Sequence, residues 1–259
     1  MAILTYRPDN LLALFNSSEG DDLDTERLLR FRSKGYQFAP SYKARQWDGY
    51  IKLTRRTKGG LLIPAGLVPY TLEQPWAARI EVVDQREVPL TKPGSYSGTP
   101  KIKLDPYQLE AVEIAIAAKR GIVQYPTGTG KSYILGELIR RLQLPALVIC
   151  DKRDLMRQLA RDIGKATDRP IGIIGDGIWE TEDCCVATYQ TLYRRLNDPE
   201  HAKDTREFLA GFAVVIADEG QHAEAKTFAD VLKHVPAYYR FAFSATPFRS
   251  WRAGKATDK

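Results

Sequence analysis

Apolar and polar positions change rhythm part-way along the chain. From about residue 104 onward, short apolar runs alternate with longer stretches in which apolar residues recur every three or four positions. The runs at 121–125, 146–150, 171–174, 184–188, 212–217 and 241–244 predict strands, and the stretches at 106–119, 131–142, 153–163, 189–196 and 225–234 predict helices. Strands alternating with helices build right-handed β–α–β units and a mostly parallel sheet, whose ligands gather at the carboxyl ends of the strands. Before residue 90 the apolar runs are shorter, as at 50–54 and at 61–64 around the turn Lys58-Gly59-Gly60. They predict a small α+β unit with one helix near 25–33 followed by hairpins. Residues 91–100, rich in Gly, Pro, Ser and Thr, read as a linker. The expected organisation is a small α+β domain over 1–90, a linker over 91–103 and an α/β domain over 104–259, with no repeat at a fixed period.

Composition adds exclusions. With 259 residues, 44% apolar and 27% charged, the chain is long enough for one large or two modest cores. It is not collagen-like, disulfide-scaffolded or wholly disordered. Its longest apolar runs, such as 212–217, fall far short of the roughly 20 residues a bilayer needs. Neither a membrane span nor an N-terminal export signal is predicted, which points to the cytoplasm. Cys150, Cys184 and Cys185 make no Cys-x-x-Cys pair, and His201, His222 and His234 do not join them at zinc-ligand spacing. Reduced, buried thiols are expected rather than a metal site.

Charge is uneven. Lys and Arg number 38 against 32 Asp and Glu, a net +6. Between Arg30 and Lys58 stand nine basic residues (Arg30, Arg32, Lys34, Lys43, Arg45, Lys52, Arg55, Arg56, Lys58) and one acid, Asp48, while Glu19 to Glu26 is acidic. A solvated face could account for such a run, but it is also the footprint of a phosphate-binding surface. Phe31, Tyr36, Phe38, Tyr42, Trp47 and Tyr50 interleave with it. Aromatics among Arg and Lys can stack on bases or wedge at a junction; Phe31, Phe38 and Trp47 are expected instead to serve mainly as core.

The strongest chemical signal is Tyr125-Pro126-Thr127-Gly128-Thr129-Gly130-Lys131-Ser132, between a predicted strand and a predicted helix. Gly128 and Gly130 let successive N–H groups converge, and the helix N-terminus adds its dipole, so a polyphosphate is favoured there. Lys131 would reach the β and γ phosphates and the Ser132 hydroxyl would sit on Mg²⁺. Tyr125 stands where the generic loop opens with Gly, a departure from that pattern. Downstream, an apolar strand ends in Asp218-Glu219. Asp218 is expected to hold Mg²⁺ and Glu219 to act on the attacking water, with Lys131 completing the catalytic set.

Taken together, these segments resemble the superfamily 2 helicases and translocases. Leu104-Asp105-Pro106-Tyr107-Gln108 is similar to the segment whose Gln reads adenine, which assigns Gln108 that role with Tyr107 beside it; residues 125–132 resemble motif I and 146–158 motif Ia. Ala187-Thr188-Tyr189-Gln190 resembles motif Ib, which touches the nucleic-acid backbone, so Thr188 and Gln190 join Arg45, Lys52, Arg55 and Arg56 as candidate DNA contacts. Asp218-Glu219-Gly220-Gln221 falls at motif II and Ser244-Ala245-Thr246-Pro247 at motif III. Gln221, Ser244 and Thr246 are the implied coupling residues; Gln221 replaces the usual His or Asp, with His222 one place later. The resemblance implies a RecA-like P-loop domain, ATP and Mg²⁺ as cofactors, and DNA as partner. The segments 35–40, 47–53 and 62–68, Trp47-Asp48-Gly49 above all, resemble the N-terminal domain of phage recombination helicases, implying action on branched DNA in recombination, replication or repair, in the host cytoplasm if phage-encoded.

Residue 259 falls before any second RecA-like domain, which would carry motifs IV to VI and the arginine fingers. The chain therefore reads as the N-terminal half of such a helicase, with the second domain expected in cis or as a separate chain and with weak or absent unwinding on its own. A non-motor module that binds DNA and nucleotide is the alternative. A P-loop kinase or switch leaves Ser244-Ala245-Thr246 unexplained. The translocating subunit of a restriction system shares every motor motif and is set aside only on the Trp47 segment.

Overall fold

The computed structural model describes residues 2–16, 19–33, 35–90, 103–126, 129–218 and 226–245. The chain divides into two compact units, Met1–Glu87 and Val88–Lys259. Most of the expected linker, and Thr127, Gly128, Glu219, Gln221, His222 and Thr246 among the candidate residues, lie outside the described residues.

The first unit opens with strands β1 (Ala2–Tyr6) and β2 (Leu12–Asn16), then helix α1 (Glu19–Leu28) and strand β3 (Arg30–Arg32). A 3₁₀ turn at Tyr36–Phe38 and the short helix α2 (Pro40–Lys43) lead to β4 (Tyr50–Lys52), β5 (Arg55–Thr57) and β6 (Gly60–Pro64). Helix α3 (Val68–Leu72) and strand β7 (Ile80–Asp84) follow. The sheet order is β5-β6-β2-β1-β7, with β7 parallel to β1 and the other neighbours antiparallel. Alternate positions of β1 and β2 turn inward, so Leu4, Ala13 and Phe15 meet Leu61, Ile63, Val68 and Leu29 in one core. Among the described residues, strands β3 and β4 pair only with each other, as a two-stranded ribbon.

Two sequence expectations are corrected here. The helix expected near 25–33 instead spans Glu19–Leu28, where its acidic residues favour the helix N-terminus, and Arg30–Arg32 is a strand. Its partner lies twenty residues on, which no local pattern reveals. Phe31 and Phe38, expected as core, are 50% and 72% exposed.

The Trp47-Asp48-Gly49 segment is a turn-making unit at the entry to β4. Trp47 Nε1 donates to the Tyr50 carbonyl (2.8 Å), Tyr50 N–H donates to Asp48 Oδ1 (3.1 Å), and the other Asp48 oxygen pairs with Lys52 Nζ (2.9 Å). Gly49 is left-handed (φ 80°), and a Cβ there would meet the Tyr36 ring at 2.6 Å. Gly49→Ala combines backbone strain with a steric clash, so a loss of about 1–3 kcal/mol is expected in chemical denaturation of the first unit. An unchanged midpoint would show that the turn is not held this way.

The second unit contains α4 (Pro106–Ala118), β8 (Arg120–Gln124), α5 (Lys131–Leu142), β9 (Ala146–Cys150), α6 (Arg153–Thr167), β10 (Gly172–Gly175), β11 (Ile178–Trp179) and β12 (Cys184–Thr188). Helices α7 (Tyr189–Leu196) and α8 (Ala202–Ala210), strand β13 (Val214–Asp218), α9 (Lys226–Leu232) and β14 (Tyr239–Ser244) complete it. The sheet order is β11-β10-β12-β9-β13-β14-β8, parallel throughout except at β11. Strands β9, β12 and β13 are buried along their whole length, which explains their continuous apolar runs. Helix α6 buries Met156, Leu159, Ala160, Ile163, Ala166 and Thr167, one helical stripe. Against it packs α5, where a Cβ on Gly136 would lie 2.6 Å from Ala166 Cβ, so that glycine sets the approach of the two helices. No helix among the described residues is long and apolar enough to cross a membrane.

All three cysteines are free and buried. Burial pushes the Cys150 thiol up to about 12, with the Asp218 carboxylate adding to the effect, and Cys185 up to about 11; Cys184 is raised as well. Because the thiolate is the reactive form, these groups are almost wholly protonated at pH 8. The native protein is expected to resist a thiol-reactive dye at that pH and to label at all three positions once denatured. Rapid labelling of the native chain would contradict this burial.

Candidate nucleotide site and nucleic-acid interface

The nucleotide-site candidates lie at the carboxyl edge of the parallel sheet. β8 feeds the Gly-rich loop, β14 ends at Ser244 paired with Gln124, and β13 ends at Asp218 paired with Phe243. Asp218 and Ser244 are therefore carried on the two strands nearest the loop strand, and both are buried, Asp218 to 6% exposure. Helix α5 starts at Lys131 directly after Gly130, which is left-handed (φ 75°). A glycine at this cap offers no side-chain acceptor, which leaves the capping role at the helix start to backbone and ligand. Lys131 and Ser132 are half-buried at that start.

The loop is strapped to α4. Asp105 and Gln108 form a reciprocal cap at the start of that helix, with Asp105 N–H donating to Gln108 Oε1 (2.9 Å). The other end of the same amide, Nε2, donates to the Thr129 carbonyl (2.9 Å), to which the Tyr107 hydroxyl also donates (3.3 Å). Tyr125 donates its hydroxyl to the Tyr107 carbonyl (3.2 Å), and the two rings stack with centroids 6.0 Å apart. Thr129 Oγ1 closes the loop on the Pro126 carbonyl (2.7 Å). Gln108 is 5% exposed, and a Cβ at position 130 would meet its Nε2 at 2.6 Å. The sequence did not reveal this strap: Tyr125, a departure from the generic loop, is the hydroxyl that ties it to α4.

The carboxylate of Asp218 and the hydroxyl of Ser132 are hard oxygen donors of the kind Mg²⁺ takes, and the glycine cap gives polyphosphate close access to backbone amides. The donor chemistry thus fits a magnesium–nucleotide pair. Among the described residues no group of three or more His, Cys, Asp or Glu is placed to hold a metal ion.

The candidate DNA residues fall on both units. Thr188 is buried and its hydroxyl bonds that of Thr191 (2.9 Å), whereas Gln190 is exposed and donates to the Asp151 carbonyl (2.9 Å). In the first unit Arg45 and Arg55 are exposed. Arg56 is held by Glu26 (2.8 Å) and Asp22 (3.4 Å), so acids of α1 offset part of the basic run. Tyr42, Lys43, Arg45, Trp47 and Lys52 help line an open cleft of about 800 Å³ in this unit.

A mostly parallel sheet with a glycine-capped helix and a buried aspartate at its carboxyl edge defines the RecA-like class of P-loop folds. Residues 101–249 match the family described as "Type III restriction enzyme, res subunit"; the match covers more than half of the chain, which belongs to that family. The match leaves the first unit aside and so does not bear on the Trp47 segment.

Two of its relatives are a DNA translocase and a DNA helicase. The DNA 3'-5' translocase XPB2 of Sulfurisphaera tokodaii is 30% identical over 180 residues, 70% of this chain and 37% of its own length. The ATP-dependent DNA helicase uvsW of Enterobacteria phage T4 is 26% identical over 253 residues, 87% of this chain and 47% of its own. The chain thus spans less than half the length of these curated relatives. A crystal structure of the UvsW helicase from bacteriophage T4 superposes with a TM-score of 0.73 at 22% identity, covering 98% of this chain and 94% of that one. A second UvsW structure gives 0.72, covering 95% and 52%. At that identity the likeness carries the fold, and it extends through both units.

Proposed function

We propose that the chain is the N-terminal part of an ATP-dependent DNA helicase or translocase that remodels branched DNA in recombination, replication or repair. The observation that carries this reading is the strapped, glycine-capped start of α5 beside the strand ends bearing Asp218 and Ser244. Lys131 and the amides at the start of α5 bind the phosphates, and Ser132 and Asp218 hold the metal. Bound Mg²⁺ would neutralise charge on the β and γ phosphates. Glu219, adjacent in sequence to Asp218, orients or deprotonates water. Thr127 and Gly128 complete the phosphate loop, with Pro126 and Thr129 on its flanks. Gln221, Ser244 and Thr246 couple hydrolysis to movement on DNA, and the second RecA-like domain is supplied in cis or by another chain.

Gln108 and Tyr107 are proposed to face the adenine. Gln108 commits both ends of its amide to the helix cap and to Thr129, so it also positions the loop. In the first unit Arg45, Arg55 and Lys52 supply the DNA-binding charge, with Gln190 contributing from the second. The reading is tested by ATP hydrolysis measured with no DNA and with duplex, forked and four-way junction DNA. Slow turnover stimulated by DNA, with weak or absent strand separation by these 259 residues alone, is expected. Efficient fork unwinding by this chain would contradict the half-motor reading, and DNA binding without any ATP binding would favour the non-motor alternative.

A further inference from the structure

The β3–β4 ribbon has two chemically different faces. Its register pairs Arg30 with Lys52, Phe31 with Ile51 and Arg32 with Tyr50. Because side chains alternate along a strand, Arg30, Arg32, Tyr50 and Lys52 share one face, and Phe31 and Ile51 share the other. One pair further back, Leu53 N–H donates to the Leu29 carbonyl (3.0 Å), and this pair continues the apolar face. Leu29 is buried in the core of the unit, whereas Leu53 and Ile51 are 39% exposed and Phe31 is 50% exposed. The apolar face thus begins in the core and emerges along the ribbon, with no described element covering its far end.

The opposite face is ordered by stacking. The Arg30 guanidinium lies over the Tyr50 ring (4.6 Å), and that of Arg32 lies over both Tyr36 (4.8 Å) and Tyr50 (5.1 Å). Arg32 also donates to the Tyr36 hydroxyl (2.8 Å). Stacking fixes the guanidinium planes before any ligand arrives and leaves N–H edges for phosphate oxygens. An exposed apolar face backed by stacked arginines matches nucleic acid at a junction, where unpaired bases offer stacking faces and the backbone is anionic.

We propose that this ribbon is a wedge for single-strand–duplex junctions. Phe31, Ile51 and Leu53 pack on the exposed bases, while Arg30, Arg32 and Lys52 follow the adjoining phosphates. The proposal rests on the DNA-remodelling reading and assigns it a fork-reading element. Base–aromatic stacking carries enough energy that Phe31→Ala is expected to weaken binding to forked DNA by about ten-fold while changing blunt-duplex binding less than about two-fold. The test uses the full chain, a fork carrying 2-aminopurine at the junction, and a blunt duplex of equal length. Unmodified chain should change the 2-aminopurine fluorescence, and Phe31→Ala and Ile51→Ala should each lose that change.

Equal loss on fork and duplex, or fork affinity and fluorescence identical to those of the unmodified chain, would overturn the wedge. A change in sedimentation state in Phe31→Ala with unaltered fork binding would also overturn it, because the face would then be a protein contact. Failure of the unmodified chain to bind either DNA would sink the underlying DNA reading instead, a result distinct from the other three.

Discussion

Lys131→Ala is expected to abolish ATP hydrolysis and to weaken ATP binding by about 10- to 100-fold, the cost of deleting one charged hydrogen-bond donor from a half-buried position. Lys131 is the first residue of α5, directly after the left-handed Gly130. Its ammonium and the helix dipole are proposed to act on the same phosphates, so the loss should fall on affinity as well as rate. Alanine is the best helix former, and the seven residues α5 buries all lie beyond Ser132, so α5 should persist. Lys131→Arg is expected to fail as well, because a planar fork cannot replace a compact point charge in this position. DNA binding through the first unit should be unchanged. Unaltered turnover in Lys131→Ala, measured by phosphate release, would refute the site.

Asp218→Asn separates metal holding from nucleotide binding. Asp218 ends β13, buried among the carboxyl termini of the central strands. Asparagine is nearly isosteric, so the packing of β13 between β9 and β14 should survive. The lost charge removes the group expected to hold Mg²⁺, and hydrolysis should fall by two to three orders of magnitude, about 3–4 kcal/mol of barrier. Nucleotide affinity without magnesium should stay within about three-fold of the unmodified chain, while the gain in affinity on adding magnesium should disappear. A variant that keeps its magnesium dependence would show that the metal is held elsewhere.

Much of the second unit was legible because its central strands β9, β12 and β13 are buried on both faces. Such strands read as unbroken apolar runs, and α5 and α7 fall at 131–142 and 189–196, as the pattern predicts. Helix α8 at 202–210 lies outside the predicted helices; it buries only Thr205 and Leu209. The first unit was harder. Its ribbon pairs residues 18 to 22 apart, and β7 adds parallel to β1 from the far end of the unit, so neither is signalled by local spacing. Exposure of Phe31 and Phe38 reverses the general tendency of aromatics to be buried.

At the site, residue types and spacing pointed to the loop and to Asp218. The tie from Tyr107, Gln108 and Tyr125 to Thr129 depends on side-chain directions that spacing does not encode. The cation–aromatic order of Arg30 and Arg32 was hidden for the same reason. Pairing of Arg56 with Glu26 and Asp22 showed further that a basic run and the acidic run before it can offset each other in space.

The start of α5 is proposed to hold magnesium-bound ATP. The most direct measurement is an equilibrium titration of the full chain with a fluorescent ATP analogue, with magnesium and with EDTA, followed by competition with unlabelled ATP. Saturable binding that strengthens with magnesium and is displaced by ATP is expected. No saturable binding, or binding that ATP does not displace, would contradict the account.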